Sequence, residues 1–249
     1  MTVLTFDRAE AMNAISTQFA VDLAAAAEAV AADDSVRAVV LLSASERAFC
    51  VGADLKERNG FTDDDMLAQR VVFRRLFNAV IDLPMPVVCG VSGFALGGGC
   101  ELALGADLIV ADDGAVFGLP EVSVGLIPGG GGTQLLTRRI GAARAADLVL
   151  TGRRVSADEA QALGLVDRRV PGLGTAGAAA LELAEQIARN SPIALRQAKR
   201  ALRTGIDLPL AEGLDVEDAG WRATAFSPDR AEGIRAFVEK RPPVWPTTV

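Results

Sequence analysis

The sequence contains no histidine and no tyrosine among its 249 residues. Without histidine, a Ser-His-Asp triad, a Cys-His pair and any histidine-ligated metal are excluded. Acid–base chemistry must therefore come from Asp, Glu, Lys or Cys side chains. Cysteines are also few: Cys50, Cys89 and Cys100 show no Cys-x-x-Cys spacing, which is typical of reduced thiols that pack as small apolar residues.

Long apolar runs are missing as well, since no stretch reaches the roughly 18 residues that a membrane span requires. The N-terminal residues lack the basic start and apolar core of a signal peptide, so a cytoplasmic protein without membrane contact is predicted. Basic residues are outnumbered, with 25 Lys and Arg against 32 Asp and Glu and a net charge of −7. Because binding to a phosphate backbone needs a clustered basic surface, nucleic acid is not expected as a partner.

The sequence does contain strand-like segments that alternate with helical ones. Short β-branched runs predict buried strands at 37–43, 87–91 and 107–111, and apolar periodicity predicts helices at 17–32 and 63–82. After Pro171 only helices are predicted, at 173–190, 192–204, 208–226 and 229–239. This order indicates an α/β core followed by a helical extension, and we expect the extension to serve in assembly.

Glycines are concentrated at Gly52, at 97–99 and at 129–132. Neither a Gly-Lys-Ser/Thr loop nor a Gly-x-Gly-x-x-Gly turn between a strand and a helix is present, so nucleotides bound in those modes are not expected. The run 97–99 lies between a predicted strand and a predicted helix, which places the N–H groups of Gly98 and Gly99 at a helix N-terminus. They could stabilise an oxygen that becomes negative during a reaction, or the run could be a tight turn without a ligand.

Two glutamates favour the first interpretation. Glu101 lies just after the glycine run, and Glu121 lies in an apolar stretch bounded by proline and glycine, 119–128. A glutamate near a helix start also has a purely structural use as a partner of the helix dipole. In a chain without histidine, however, two carboxylates in an apolar cleft are a credible acid–base pair.

Taken together, the segments 48–56, 90–103 and 117–134 resemble the crotonase family, the enoyl-CoA hydratases and isomerases. The resemblance implies a spiral of ββα units over residues 1–190. It also implies a C-terminal helical region, 191–249, through which the protein forms homotrimers or homohexamers. No metal and no cofactor are implied, because a coenzyme A thioester is itself the substrate.

The resemblance also implies a mechanism. The backbone N–H groups of Ala53 and Gly98 would form an oxyanion hole for the thioester carbonyl of an acyl-CoA. Glu101 would orient and deprotonate a water molecule, and Glu121 would exchange the proton at the α-carbon. Water would thus add across a trans-2-enoyl-CoA to give the 3-hydroxyacyl-CoA, by default in fatty-acid β-oxidation.

Contacts to CoA are implied along one segment, Ala53, Asp54, Leu55 and Lys56, with Lys56 near the phosphates. The chain departs from the family where the first strand is truncated or absent and where Ala11 replaces a basic residue. Arg8 could substitute for that residue. Lys240 could reach CoA from its own or a neighbouring subunit, or could be a solvated lysine at a helix end.

Having both Glu101 and Glu121 favours hydration over the alternatives within this family. An enoyl-CoA isomerase commonly keeps only the carboxylate that corresponds to Glu121. A non-catalytic acyl-CoA-binding homologue is a further alternative. RNA binding is disfavoured by the net charge of −7 and by the absence of a basic stripe.

Overall fold

The computed structural model describes residues 1–246, so residues 247–249 of the predicted C-terminal region lie outside the described part. The strands are β1 (Thr2–Phe6), β2 (Val39–Ser43), β3 (Ala48–Cys50), β4 (Val87–Val91), β5 (Phe94–Leu96), β6 (Leu108–Asp112), β7 (Val116–Gly118), β8 (Arg154–Ser156) and β9 (Arg168–Val170). The α-helices are α1 (Thr17–Ala31), α2 (Leu55–Arg58), α3 (Asp63–Ile81), α4 (Gly98–Gly105), α5 (Gly132–Ile140), α6 (Ala142–Thr151), α7 (Ala157–Leu163), α8 (Ala176–Ala188), α9 (Pro192–Gly205), α10 (Leu210–Ala225) and α11 (Pro228–Glu239). Two 3-10 turns cover Ala9–Ala11 and Glu121–Val124.

The strands form two sheets that the chain visits in turn. The larger sheet has the order β1-β2-β4-β6-β9 and is parallel throughout. The smaller sheet has the order β3-β5-β7-β8, in which only β7 and β8 are antiparallel. Each of β2, β4 and β6 is followed by a short strand of the smaller sheet and then by helical structure. This repetition confirms the α/β class and the predicted spiral of ββα units.

Local signals place the first elements close to their predicted positions. The predicted strands at 37–43, 87–91 and 107–111 correspond to β2, β4 and β6, whose valine-rich sequences are almost entirely buried. Helix α1 begins after Ser16, whose hydroxyl accepts the N–H of Phe19. Helix α3 begins after Thr62, which forms a reciprocal capping box with Asp65.

The first strand is where the sequence-based expectation needs correction. Of the two expected alternatives, an absent first strand is wrong: β1 is present and pairs in parallel with β2 along its whole length, from Thr2 to Phe6. Truncation of this strand relative to the family stays a prediction. The strand lies at the edge of the larger sheet, so only one side of it is paired, and its side chains alternate between partly buried and exposed up to the buried Phe6. A strand of this length at the edge of a sheet shows little alternation of apolar and polar residues. Its position in the sheet is set by pairing with β2.

The four predicted C-terminal helices are present as α8, α9, α10 and α11. Helices α9 and α11 begin with Pro192 and Pro228, each preceded by a serine that accepts a backbone N–H as the N-cap. Helix α8 packs on the larger sheet, where Ala180 and Leu183 join one buried cluster with residues of β2, β4 and β6. The polypeptide therefore covers one face of its main sheet before the last three helices begin.

The three cysteines are all buried and unpaired with one another, in agreement with the expectation of small apolar packing. Across the described residues 1–246, none of the helices combines the length and the apolar character needed to cross a bilayer.

Candidate active site

Two glycine-containing turns meet at the bottom of a cleft between the sheets and α3. The segment after β3 is held by Ile15, whose N–H donates to the Gly52 carbonyl at 2.7 Å and whose carbonyl accepts the Asp54 N–H at 2.9 Å. Gly52 has φ +89° and packs against the second turn: a Cβ on it would lie 3.1 Å from the Gly98 nitrogen. The fold thus brings the turn that follows β3 against the start of α4.

The predicted oxyanion donors, Ala53 and Gly98, lie on these two turns. Ala53 sits between the two hydrogen bonds of Ile15, and its own N–H has no partner among residues 1–246. Gly98 is the first residue of α4, so its N–H has no acceptor within the helix and finds none elsewhere in the described part. An unpaired N–H group at a helix N-terminus and a second one on the turn packed against it can stabilise negative charge on an oxygen.

The glycine run is needed for this close approach. A Cβ on Gly99 would lie 1.9 Å from the Cys50 carbonyl oxygen. Relieving this overlap would require the backbone of a closely packed strand to move. A Cβ on Gly98 would lie 3.1 Å from Cδ1 of Ile15 and 3.3 Å from Cζ of Phe77, so it would point toward core side chains. These glycines are therefore needed because the start of α4 packs directly against strand β3 and the core. A tight turn without such packing would not need them.

Glu101 projects from the first turn of α4 and is held by a distant loop. It is only 3% exposed, and its Oε1 accepts the N–H of Gly130 at 2.7 Å and of Gly132 at 2.8 Å. Burial raises the pKa of Glu101, while the two N–H groups and the positive charge of Arg70 act in the opposite direction. Its Oε2 accepts no hydrogen bond from the described residues, which leaves one oxygen free for a ligand.

Glu121 reaches the same site from the 3-10 turn after β7, and its surroundings are different. Its Oε2 is buried without a hydrogen-bond partner, and a Cβ on Gly97 would lie 3.1 Å from its Oε1. Burial raises the pKa of Glu121 to about 7; the negative charge of Glu101 adds to this rise, and the N–H of Glu121 itself opposes it. At neutral pH Glu121 therefore carries a proton in a substantial part of the molecules.

The two glutamates and the two free N–H groups line one cleft of about 870 Å³. Its other walls are largely apolar and come from α3 and from the loop before α5, including Met66, Phe73, Phe77, Leu126 and Ile127. A cleft of this size, apolar apart from a few converging polar groups, is typical of a site for a small molecule. The difference in environment gives the carboxylates different protonation tendencies, which suits one to act as base and the other as acid.

The residues predicted to bind CoA are only partly brought together. Ala53 and Leu55 line the cleft, whereas the side chains of Arg8, Asp54, Lys56 and Lys240 do not. Asp54 caps α2 by accepting the N–H groups of Lys56 and Glu57. Although burial opposes it, hydrogen bonds from Arg8 and from these N–H groups lower the pKa of Asp54.

Arg8 is engaged in the structure itself. Its Nη1 lies 2.7 Å from Oδ2 of Asp54 and 2.9 Å from the carbonyl oxygen of Ala14. Lys240 ends α11 in a left-handed conformation, with φ 55°, and is exposed. Arg8 thus has a structural use in holding Asp54, and its binding of CoA, like that of Lys56 and Lys240, stays a prediction.

Sequence reasoning missed two kinds of functional group. One is the pair of N–H groups from Gly130 and Gly132 that hold Glu101; the glycine run 129–132 was the available signal, but its partner lies on another element. The other is a pair of arginines, Arg58 and Arg70, that line the same cleft as the glutamates. Arg70 precedes Phe73 by three residues and Phe77 by seven, so all three lie on one face of α3. This spacing would have placed Arg70 in the cleft once that face was known to line it.

Comparison with known proteins relates this arrangement to one group. Residues 1–248 match the family described as enoyl-CoA hydratase/isomerase. YngF of Bacillus subtilis is 42% identical over 245 residues, covering 98% of this chain and 94% of that protein. The mouse mitochondrial methylglutaconyl-CoA hydratase is 39% identical over 246 residues, covering 98% and 78%. The crystal structure of enoyl-CoA hydratase from Bacillus anthracis superposes with a TM-score of 0.94 at 40% identity, covering 98% of this chain and 95% of that one.

Proposed function

The chain belongs to the enoyl-CoA hydratase/isomerase family, the crotonase family of the sequence resemblance, and on this premise we propose that it is an enoyl-CoA hydratase. The observation that carries the proposal is the pair of glutamates, Glu101 and Glu121, which face one cleft beside two unpaired N–H groups and differ in their surroundings. The proposed substrate is a trans-2-enoyl-CoA, and the proposed product is the 3-hydroxyacyl-CoA.

The N–H groups of Ala53 and Gly98 hold the thioester oxygen. When water adds at C3, electron density moves through the double bond onto this oxygen, which becomes an enolate oxygen. Donors already fixed at that position stabilise the charge as it develops, because they need no reorganisation. The fixed start of α4 and the Ile15 contacts of the preceding turn support this role.

The glutamates move the two protons of the addition. Glu101, ionised and held by two N–H groups through Oε1, accepts a proton from water through its free Oε2 as the C3–O bond forms. Glu121, protonated because of its burial, gives its proton to C2 as the enolate collapses. One O–H bond of water, the O–H bond of Glu121 and the π bond between C2 and C3 break, while the C3–O bond, the C2–H bond and an O–H bond on Glu101 form. Glu101 then releases its proton to water and Glu121 takes one up, which restores the starting state.

The acyl chain and the pathway are not fixed by the family. Relatives include a protein named methylglutaconyl-CoA hydratase as well as proteins named enoyl-CoA hydratase, so the natural thioester is part of the proposal. Fatty-acid β-oxidation is the default setting we propose. The chemistry as proposed uses only side chains, backbone N–H groups and water, with no metal or cofactor.

We also propose that the protein works as a homotrimer or homohexamer. Large apolar side chains are exposed on the last three helices, among them Leu210, Phe226 and Phe237 at 79%, 80% and 85%. Exposed apolar surface of this kind is expected to be covered by another subunit.

The test is an absorbance assay that follows loss of the conjugated thioester in crotonyl-CoA, with the wild type, Glu101→Gln, Glu121→Gln and the control Glu182→Gln. Glu182 is exposed on α8, far in sequence from the cleft. Hydration should be fast in the wild type and the control and nearly lost in both site variants. A wild type that fails to hydrate but isomerises a 3-enoyl-CoA, with Glu101→Gln still active, would make the protein an isomerase.

A further inference from the structure

Two guanidinium groups line the same cleft as the glutamates. Arg58 is the last residue of α2 and Arg70 lies in the second turn of α3. Both line the cleft, and the lining residues nearest to them in sequence, Leu55, Leu67 and Phe73, are apolar or aromatic. A neutral hydrocarbon chain makes no polar contact with cations at this place, and placing it beside them costs solvation of their charge.

Neither arginine forms an ion pair with a carboxylate of residues 1–246, whereas half of the other arginines there form one or more. Arg58 donates through Nε to Oε1 of Gln69 at 2.7 Å and lies 5.0 Å from the ring centre of Phe73. Arg70 donates through Nη1 to the Gly129 carbonyl at 2.6 Å. These contacts fix the direction of each guanidinium and leave donors free.

The two cations line the same cleft, and the charge of each acts on the other. Burial lowers the pKa of Arg58; the charge of Glu57 opposes this, and the charge of Arg70 adds to it. Two positive charges brought together beside an apolar wall repel, and an anion placed between them would relieve that repulsion. Asp63, Glu101 and Glu121 are the carboxyl groups that line the cleft, and Glu101 is already held by backbone N–H groups.

The position of Arg70 relates this pair to the acyl chain. Its partner Gly129 precedes Gly130, whose N–H holds Glu101, so Arg70 stands beside the carboxylate that we assign to C3 of the substrate. The segment proposed for CoA, in contrast, presents Lys56 outside the cleft. An anion held by Arg70 at this place lies next to the reacting carbons, as a group carried on the acyl chain would.

We infer that Arg58 and Arg70 bind a carboxylate carried by the acyl chain, so that the preferred substrates are enoyl-CoA thioesters of dicarboxylic acids. The inference rests on the proposed hydratase function and narrows its substrate class. Guanidinium groups suit this task because their planar donors match a carboxylate in two-point contact. A phosphate of CoA is the other anion that the same donors could take, and the experiment separates the two.

The experiment compares two thioesters that share the same CoA, 4-carboxybut-2-enoyl-CoA and trans-2-hexenoyl-CoA. Their acyl chains match in length when a carboxylate oxygen of the first is counted in the place of the terminal methyl group of the second. The wild type should show a kcat/KM for the carboxylated thioester at least about tenfold higher. Arg58→Met and Arg70→Met should each lower the ratio of the two kcat/KM values by about tenfold, the low end for a charged hydrogen bond in an open cleft. Arg74→Met, an exposed residue of α3 that does not line the cleft, should leave the ratio unchanged.

Binding of the saturated analogues glutaryl-CoA and hexanoyl-CoA, measured by calorimetry, gives a second readout that does not need turnover. The same variants should lose the preference for glutaryl-CoA. An equal loss for both analogues would assign the arginines to a CoA phosphate and overturn the inference, as would an unchanged ratio in both variants. A wild type that prefers glutaryl-CoA yet hydrates neither enoyl thioester would overturn the proposed hydration and leave the carboxylate site standing.

Discussion

Raising the pH above neutrality is expected to switch off hydration, because the proton delivered to C2 starts on Glu121. In the proposed mechanism hydration starts with one proton on the pair of glutamates. Glu121 carries this proton, and Glu101 is ionised. Burial raises the pKa of Glu121 to about 7, so about half of the molecules hold this proton at pH 7. Above that, each pH unit removes about nine tenths of the remaining active form, which predicts a fall of roughly fiftyfold between about pH 7 and about pH 9.

The assay is the initial rate of crotonyl-CoA hydration at low substrate, since kcat/KM reports the ionisations of the free enzyme. Only the alkaline side is informative, because phosphate groups such as those of CoA titrate near about pH 6. Dehydration of the 3-hydroxy product should show the same alkaline fall, because both directions pass through the same singly protonated pair. A kcat/KM that stays level from about pH 6.5 to about pH 9 would refute the assignment of the proton to Glu121.

Protein stability offers an independent reading of the same proton. A carboxyl whose pKa is about 7 in the folded chain and 4.5 ordinarily binds more protons when folded, so folding stability falls as pH rises between these values. Glu121→Gln does not ionise, and it should therefore unfold at a higher temperature than the wild type at pH 8 but not at pH 4. The gain is at most about 3 kcal/mol, and less after solvent screening of a partly exposed group.

Three further outcomes are expected. Glu101→Gln and Glu121→Gln should each lower kcat by roughly 10²–10⁴. Because both side chains serve one addition of water, the kcat of the double variant should be little lower than that of the less active single variant. A double variant whose loss equals the product of the two single losses would show that the glutamates have separate roles. Gly98→Val places a Cβ 3.1 Å from Ile15 and 3.3 Å from Phe77, so it should lower kcat/KM by at least about 10² while calorimetry still detects CoA binding; near-normal turnover would make the glycine run a structural turn only. Sedimentation should find a trimer or hexamer, and truncation before Ser191 should cause aggregation, whereas a monomer at micromolar concentration would contradict the assembly proposal.

Much of the architecture could be predicted because its signals are local. The buried strands β2, β4 and β6 are short β-branched runs, and the helices after Ser191 and Ser227 begin with N-cap serines followed by proline. The presence of strand β1 could not be decided from the sequence, because its place depends on pairing with β2, which no single segment records. Contacts between distant segments are invisible to patterns that repeat every two or every 3.6 residues.

The same distinction separates the parts of the site. The glycine run 129–132 reads locally as a turn, yet a Cβ on Gly130 would lie 2.5 Å from Phe77 and one on Gly132 would lie 2.9 Å from Oε1 of Glu101. These positions therefore need glycine because the ring of Phe77 and the carboxylate of Glu101 approach the backbone too closely for a Cβ atom. Their N–H groups reach a carboxylate 29 and 31 residues earlier in the chain. Residue types are enough to name the two glutamates as candidates, but only the fold shows that Glu101 accepts two backbone N–H groups through Oε1 while Oε2 of Glu121 is buried without a partner.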